Sequence, residues 1–447
     1  MVKIITLEQY GQSGIIVFDR IDNKRTSTII NNFHPYFYVQ DDNGEFKSLF
    51  NKNYKKIFTK SSQDVALERE KYTDVGEAKI KYTDRYLIDR VQIPIQKKVL
   101  RKCFIDIENI DSLDTENAPE AITTITCYDN FLDKYITFCY KPSIKEDIKK
   151  ENSASIYYFD DEKKMITKFI LFIIDIQPDI LTGFNINFDL SYIVNRARKF
   201  KLNINKISPI NYIKIDKFGV KIYGLVVLDM KKLCLHNFVK KELFKEDLNH
   251  VAEYLIGKKK IEIDETPGQL WHTNFDLLIK YNIEDVKLLV EIDEKMGVID
   301  FYDTLRREIG CGWDRITSVS YLHDIETYRK AKELSVIIPK MDLKEFKSVD
   351  GADVELLKTG LFLYTIYFDI KSQYGSGIML CNISPETLDN FGEIMLDLHL
   401  RFKNNKKGII PQIIEQEIKR RDEVKRQMFE ELKLNGKSEK YQSLNKI

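Results

Sequence analysis

Apolar and polar positions alternate along this chain in more than one rhythm. Short strand-like runs bounded by turn residues dominate residues 1 to about 97, among them Gly14-Ile-Ile-Val-Phe-Asp19 and Pro35-Tyr-Phe-Tyr-Val-Gln40. From about 98 to 296 strands alternate with helices, the signature of an α/β layer. Strands are predicted in the middle of Arg101–Ile110, at Ala121–Cys127 and around Tyr135–Cys139, and a helix from Glu162 to about Ile176, where apolar residues recur at helical spacing. A strand then runs from Ile180 through Gly183 into a polar loop, with a helix beginning near Asp189. Lys214–Tyr223 reads as a β-hairpin with Gly219 in its turn and Asp229 at the end of the return strand. Asp276–Val290 is an amphipathic helix.

Two of these elements carry acids where a bland element would not. In Phe104-Ile-Asp-Ile-Glu108 the acids are two residues apart, so both carboxylates project from one face of the strand. Ionised acids side by side are costly to desolvate unless a cation lies between them. An exposed edge strand would also account for this pair, an Asp near a helix start is an ordinary N-cap, and Tyr281 and Asp285, four apart on one helix face, are unremarkable alone. Together they supply four acids, Asp106, Glu108, Asp189 and Asp285, from three elements of one α/β domain. Converging oxygen ligands suit two hard divalent cations, Mg²⁺ or Mn²⁺. Such a pair activates water for in-line attack on a phosphodiester, with the Tyr281 hydroxyl orienting the water.

Composition narrows the setting. The 447 residues allow two to four domains. A net charge of +1 means that a polyanion must be met by a local basic patch. Tyr54, Lys55, Lys56, Phe58 and Lys60 interleave aromatic and basic side chains in a manner compatible with single-strand contact, and equally with a solvated face. The six Cys are scattered without metal-like spacing, which fits free thiols in a reducing cytosol. The segment after Met1 is too short and polar for a signal peptide. Phe169–Ile176 is too short to span a bilayer, so no membrane association is expected and the location expected is cytoplasmic.

Phe104-Ile-Asp-Ile-Glu108, Thr182-Gly-Phe-Asn-Ile-Asn-Phe-Asp189 and Tyr281-Asn-Ile-Glu-Asp285 resemble, in order and separation, the three exonuclease motifs of family B DNA polymerases. The resemblance implies a ribonuclease-H-like 3′–5′ proofreading domain with Asp106, Glu108, Asp189 and Asp285 as metal ligands and Tyr281 assisting. It also implies that Asn185 and Phe188 contact the single-stranded 3′ end, and that the hairpin near 214–223 helps part primer from template. Asp84-Arg-Tyr-Leu-Ile-Asp89 is similar to archaeal members. Tyr367-Phe-Asp-Ile-Lys-Ser-Gln-Tyr-Gly-Ser376 and Asn382–Leu388 resemble polymerase motif A, which would make Asp369 a palm metal ligand and Tyr374 the side chain that excludes ribose. Lys419–Arg426 resembles the first fingers helix, with Arg421 meeting the triphosphate of a dNTP. Tyr441–Ile447 resembles the start of motif B, with Lys446 as its triphosphate-binding lysine.

The architecture implied is α/β and α+β multidomain. It comprises a β-rich N-terminal domain (1–97, with 297–345 packing back as connecting helices), the exonuclease domain (98–296), a partial palm (346–408) and partial helical fingers (409–447). The sequence departs from the family in three places. Ser372-Gln-Tyr-Gly-Ser-Gly377 replaces Ser-Leu-Tyr-Pro-Ser-Ile. Val349-Asp-Gly-Ala352 lacks the Tyr and one Gly of Tyr-x-Gly-Gly. The sequence stops inside motif B, before the Tyr-x-Asp-x-Asp motif and thumb. The function implied is the N-terminal subunit of a split, prokaryotic or viral family B DNA polymerase. It would act on primer–template DNA with a C-terminal polymerase subunit and a sliding clamp as partners; the alternative is a stand-alone 3′–5′ exonuclease with a degenerate or truncated polymerase half.

Overall fold

The computed structural model describes residues 4–145, 147–150, 154–216, 219–340, 355, 358–366, 368–397 and 400–436. The chain divides into two compact units, one built mainly from residues up to 33 and 89–321, the other from 34–88 and 322–445. Lys446 and the Val349–Ala352 segment lie outside the described residues.

The first unit opens with an antiparallel meander, β1 (Thr6–Tyr10), β2 (Gly14–Ile21) and β3 (Lys24–Ile30). The chain then supplies the second unit with β4 (Tyr36–Gln40), β5 (Phe46–Ser48), β6 (Asn53–Phe58), α1 (Ser62–Arg69) and β7 (Val75–Gly76), before α2 (Tyr82–Arg90) leads back to the first. The predicted β-rich stretch is therefore two separate sheets, and it includes two helices. Ser61 caps α1 through a reciprocal box with Asp64, satisfying two otherwise unpaired N–H groups.

The body of the first unit is a mixed sheet of seven strands among the described residues. They are β8 (Lys102–Asn109), β9 (Ile122–Asp129), β10 (Lys134–Tyr140), β11 (Asp147–Lys150), β12 (Ala154–Phe159), β13 (Ile180–Gly183) and β16 (Val226–Asp229). Their spatial order is β11-β12-β10-β9-β8-β13-β16. β8, β9 and β10 pair antiparallel, whereas β13 lies parallel between β8 and β16. Cys103, Ile105 and Ile107 of β8 join a buried core with Met165, Ile166 and Phe169 of α3 (Glu162–Ile176) and Leu190, Ile193 and Val194 of α4 (Ile186–Lys199). Alternation along the strand sends Asp106 and Glu108 to the opposite face. That face is covered by α8 (Phe275–Met296), whose Ile279 packs against Cys139 and Ile156.

Two features differ from the sequence expectation. α4 begins at Ile186, because Asn185 takes the left-handed conformation (φ 62°, ψ 41°) and turns the chain early; Asp189 thus lies inside the first turn and is not the cap. The hairpin, β14 (Ile213–Asp216) with β15 (Gly219–Ile222), forms a sheet of its own. Asp229 therefore ends β16, a strand of the main sheet, and not the hairpin's return strand. It caps α5 (Met230–Asn237) by accepting the Lys231 N–H. Helices α6 (Leu248–Ile256) and α7 (Pro267–Thr273) precede α8, and α9 (Val298–Ile309) follows it. α10 (Val319–Glu333) runs into the second unit.

In the second unit β17 (Val336–Ile337) pairs in parallel with β5, completing a sheet ordered β17-β5-β6-β4-β7 from segments nearly 300 residues apart. α11 (Gln373–Leu380), the hairpin β18 (Ile394–Asp397) with β19 (Leu400–Phe402), and α12 (Ile409–Asn435) follow. Asn382, Ser384 and Glu386 hold the start of α12, accepting the N–H groups of Gly408, Ile410 and Ile409 respectively. Among the described residues no helix is long and apolar enough to cross a membrane.

β13 approaches β8 so closely that a Cβ at Gly183 would come within 2.6 Å of the Ile105 carbonyl oxygen. Main chain cannot yield as a side chain can, so Gly183→Ala is expected to cost about 1–3 kcal/mol. Thermal or urea unfolding of the variant measures this.

Candidate metal centre

The acid cluster is built by β8 and α8. Asp106, Glu108 and Asp285 each present a carboxylate oxygen within 4.8 Å of the others. Asp285 is 2 % exposed and its Oδ1 has no hydrogen-bond partner among the described residues, while Asp106 and Glu108 are only partly buried. Such crowding disfavours ionisation. Burial, reinforced by the Asp285 charge, pushes Asp106 up to about 7. Burial also raises Asp285 to about 6, against the opposing pull of Lys260. Glu108 is driven well above the usual carboxylate range by burial and then by Asp106.

Asp189 is buried at the start of α4, beside this trio rather than inside it. Its ladder site explains the position. β13 stops pairing with β8 at Phe104, so the Ile107 N–H further along that edge has no strand partner, and the Asp189 carboxylate accepts it. Burial, and then the Asp106 charge, push its pKa well up. Tyr281 stands one helical turn before Asp285 and is partly buried; burial followed by the Asp285 charge raises its hydroxyl to about 12.

Three functional side chains escape the sequence reading. Lys260 Nζ lies 2.6 Å from Asp285 Oδ2 and 4.6 Å from the Tyr281 ring centroid, and it hydrogen-bonds the Tyr281 hydroxyl. Burial works against its charge, but the Asp285 carboxylate and the Tyr281 hydroxyl together outweigh it and the pKa rises. In the sequence Lys258-Lys-Lys260 looks like a solvated basic run, and no local signal separates the third lysine. Asn282, next to Tyr281, donates from Nδ2 to Asp106 Oδ2 at 2.6 Å, and Thr126 of β9 bonds the same amide.

The remaining candidates are not members of the trio. Asn185 is exposed at the β13–α4 turn, its N–H donated to Asp229 Oδ1 at 3.1 Å. Phe188 is half-buried against the core, with its ring 6.0 Å from that of Tyr192. Asp369, Tyr374 and Arg421 belong to the second unit and are exposed. Arg421 donates to Ser372 Oγ at 3.1 Å, and Lys371 pairs with Asp422 at 2.9 Å.

The donor set suits a hard divalent cation. It consists of carboxylates alone, brought close enough to destabilise each other's charge, with one buried carboxylate oxygen left unbonded.

Residues 95–251 match the exonuclease domain of DNA polymerase family B. This region holds Asp106, Glu108 and Asp189; Tyr281 and Asp285 follow it in α8. The chain is similar to a DNA polymerase of Pyrococcus glycovorans, with 27 % identity over 83 % of this chain and 50 % of the relative. A DNA-directed DNA polymerase of Enterobacteria phage T4 is 25 % identical over 86 % of this chain and 47 % of the relative. A DNA polymerase of Thermococcus sp. (strain GE8) is 26 % identical over 94 % of this chain and 27 % of the relative. The fold matches the family B DNA polymerase of Pyrobaculum calidifontis with a TM-score of 0.77 at 19 % identity, covering 99 % of this chain and 65 % of that one. The α/β domain is thus a polymerase-associated exonuclease domain. Over most of its length the chain is similar to these DNA polymerases, and it spans about half the length, or less, of the curated relatives.

The raised carboxyl groups make stability of the metal-free protein depend on pH. Asp106 and Asp285 ionise more readily in the unfolded chain, so the stability they contribute is full below about pH 4 and is lost as pH rises towards 6–7. Subtracting the unfolding profile of Asp106→Asn/Asp285→Asn from that of wild type isolates this slope. At pH 7.5 without metal the double variant is expected to melt about 2–4 °C higher, equivalent to about 1 kcal/mol in a domain of this size. Millimolar Mg²⁺ should raise the wild-type melting temperature and leave that of the variant unchanged.

Proposed function

We propose that this chain is the 3′–5′ exonuclease-bearing part of a DNA-directed DNA polymerase, and that it removes nucleotides from a single-stranded DNA 3′ end by metal-dependent hydrolysis. The observation that carries this reading is the convergence of Asp106, Glu108 and Asp285, with Asp189 beside them, in a domain of the family B exonuclease type.

Asp106, Glu108, Asp189 and Asp285 would hold two divalent cations, Mg²⁺ or Mn²⁺, which supply Lewis-acid activation of water and charge neutralisation at the scissile phosphate. The chain's own contribution is positional. Tyr281, its hydroxyl bonded by Lys260, orients the attacking water, and the Lys260 charge beside Asp285 keeps that carboxylate ionised against its burial. Asn185 and Phe188, on the turn and first helical turn leading to Asp189, receive the 3′-terminal nucleotides, the exposed amide by hydrogen bonding and the ring by stacking. The hairpin at 213–222 would help part the primer end from the template.

The second unit supports a further part of the reading, that synthesis requires a second chain bearing motif C and the thumb. Leu361, Leu363, Tyr364 and Phe368, in the run entering motif A, are 79–100 % exposed. A run of aromatic and aliphatic side chains of this kind is normally an interior strand, and left in water it is an association surface. Asp369 sits in this run and, with Tyr374 and Arg421, would receive a dNTP once the partner supplies the second palm carboxylate. Lys446 would join them at the triphosphate.

A 5′-labelled primer–template incubated with Mg²⁺ tests both parts. Shortening from the 3′ end is expected, reduced by more than about 100-fold in Asp106→Ala and in Asp285→Ala, beyond the 10–100-fold typical of outer-shell changes. With dNTPs present, no extension is expected until the second chain is added. A folded, metal-loaded protein that leaves the 3′ end intact would contradict the nuclease assignment, and extension by this chain alone would contradict the need for a partner.

A further inference from the structure

Beneath the acid cluster a row of polar side chains crosses the sheet. Register sets Asp106 of β8 opposite Thr126 of β9, and Thr126 opposite Thr137 of β10, so all three stand on the face covered by α8. Thr126, Thr137 and Asn282 are 0 % exposed. Buried polar groups there are costly unless bonded, and these are bonded in series. The two threonine hydroxyls lie 3.1 Å apart, Thr126 Oγ1 donates to Asn282 Oδ1 at 2.5 Å, and Asn282 Nδ2 donates to Asp106 Oδ2 at 2.6 Å.

The series has a direction. A hydroxyl hydrogen delivered to the amide oxygen obliges the amide to point its NH₂ group at Asp106, and Thr126, having spent its one hydrogen, accepts from Thr137. With Asp106 ionised, an amide flip would set the amide oxygen against the carboxylate, acceptor against acceptor. Nothing comparable supports the neighbouring acid. Glu108 faces Thr124 across the same two strands, and the Thr124 hydroxyl is buried without a hydrogen-bond partner among the described residues.

We infer that Asn282 is a positioning residue for Asp106, held in its working orientation by Thr126 and Thr137. The row fixes the Asp106 carboxylate for a divalent cation before the ion arrives, and leaves Glu108 as the ligand that adjusts. This inference rests on the reading of the cluster as a cation site. Outer-shell partners that orient a ligand typically alter metal affinity 10–100-fold when removed.

Calorimetric titration of the full chain with Mn²⁺ at pH 7.5, alongside thermal unfolding, tests it. Asn282→Leu, which keeps an apolar body and removes both hydrogen bonds, is expected to weaken Mn²⁺ binding 10–100-fold. Thr126→Val, of equal shape but without the hydroxyl, is expected to weaken it about tenfold, whereas Thr126→Ser, which keeps the hydroxyl, should bind as wild type. A merely structural role would lower the melting temperature of the variants and leave affinity unchanged. The inference is overturned if Asn282→Leu and Thr126→Val bind Mn²⁺ as wild type does, or if Thr126→Ser is as weak as Thr126→Val. If Asn282→Leu does not fold, the Val/Ser pair decides alone. A folded wild type that binds no Mn²⁺ would overturn the cation-site reading and this inference with it.

Discussion

The mutual repulsion of carboxylates held out of water is the constraint around which the first unit is arranged. Left to themselves Asp106, Glu108 and Asp285 would separate or take up protons. Elements with strong reasons of their own keep them together. β8 is fixed on both sides, by β9 and by β13, and its odd-numbered residues are locked into the core with α3 and α4. α8 is a 22-residue helix whose apolar face packs on β10 and β12, which leaves its polar residues no choice but to meet the other face of β8. The stability of the layers supports an arrangement that is locally unfavourable.

The chain manages that charge with few groups. Lys260 neutralises Asp285, Asn282 bonds Asp106, and a main-chain N–H exposed by the ending of β13 bonds Asp189. Each reaches a different acid, and Asp285 Oδ1 is still left unbonded. The resulting site is partly neutralised and open on the Asp106 and Glu108 side, a form that suits incoming hard cations better than a fully paired network would.

Much of this is legible in the sequence, for physical reasons that also mark the limit of the reading. A strand must alternate, so Asp106 and Glu108 have to share a face, and their spacing alone pairs them. A helix must repeat every 3.6 residues, so Tyr281 and Asp285 have to share one too. The start of α4 is less legible, because it depends on Asn185 adopting a left-handed conformation stabilised by Asp229, forty-four residues later. Lys260 carries no local mark at all: its charge is explained only by Asp285, which lies beyond α7 in the chain and meets the lysine only in the fold. Thr126 and Thr137 read as ordinary strand residues, since a hydroxyl row appears only when three strands are laid in register. The parallel pairing of β17 with β5 is invisible for the same reason.

On the proposed reading these acids form a cation site and not merely a strained cluster neutralised by lysine. Anomalous X-ray diffraction from crystals of the chain grown with Mn²⁺ tests it most directly. Manganese density ligated by Asp106, Glu108 and Asp285, with Asp189 completing the set, is expected. Well-ordered carboxylates with Lys260 as their counter-ion and no manganese among them, in crystals saturated with the ion, would contradict it.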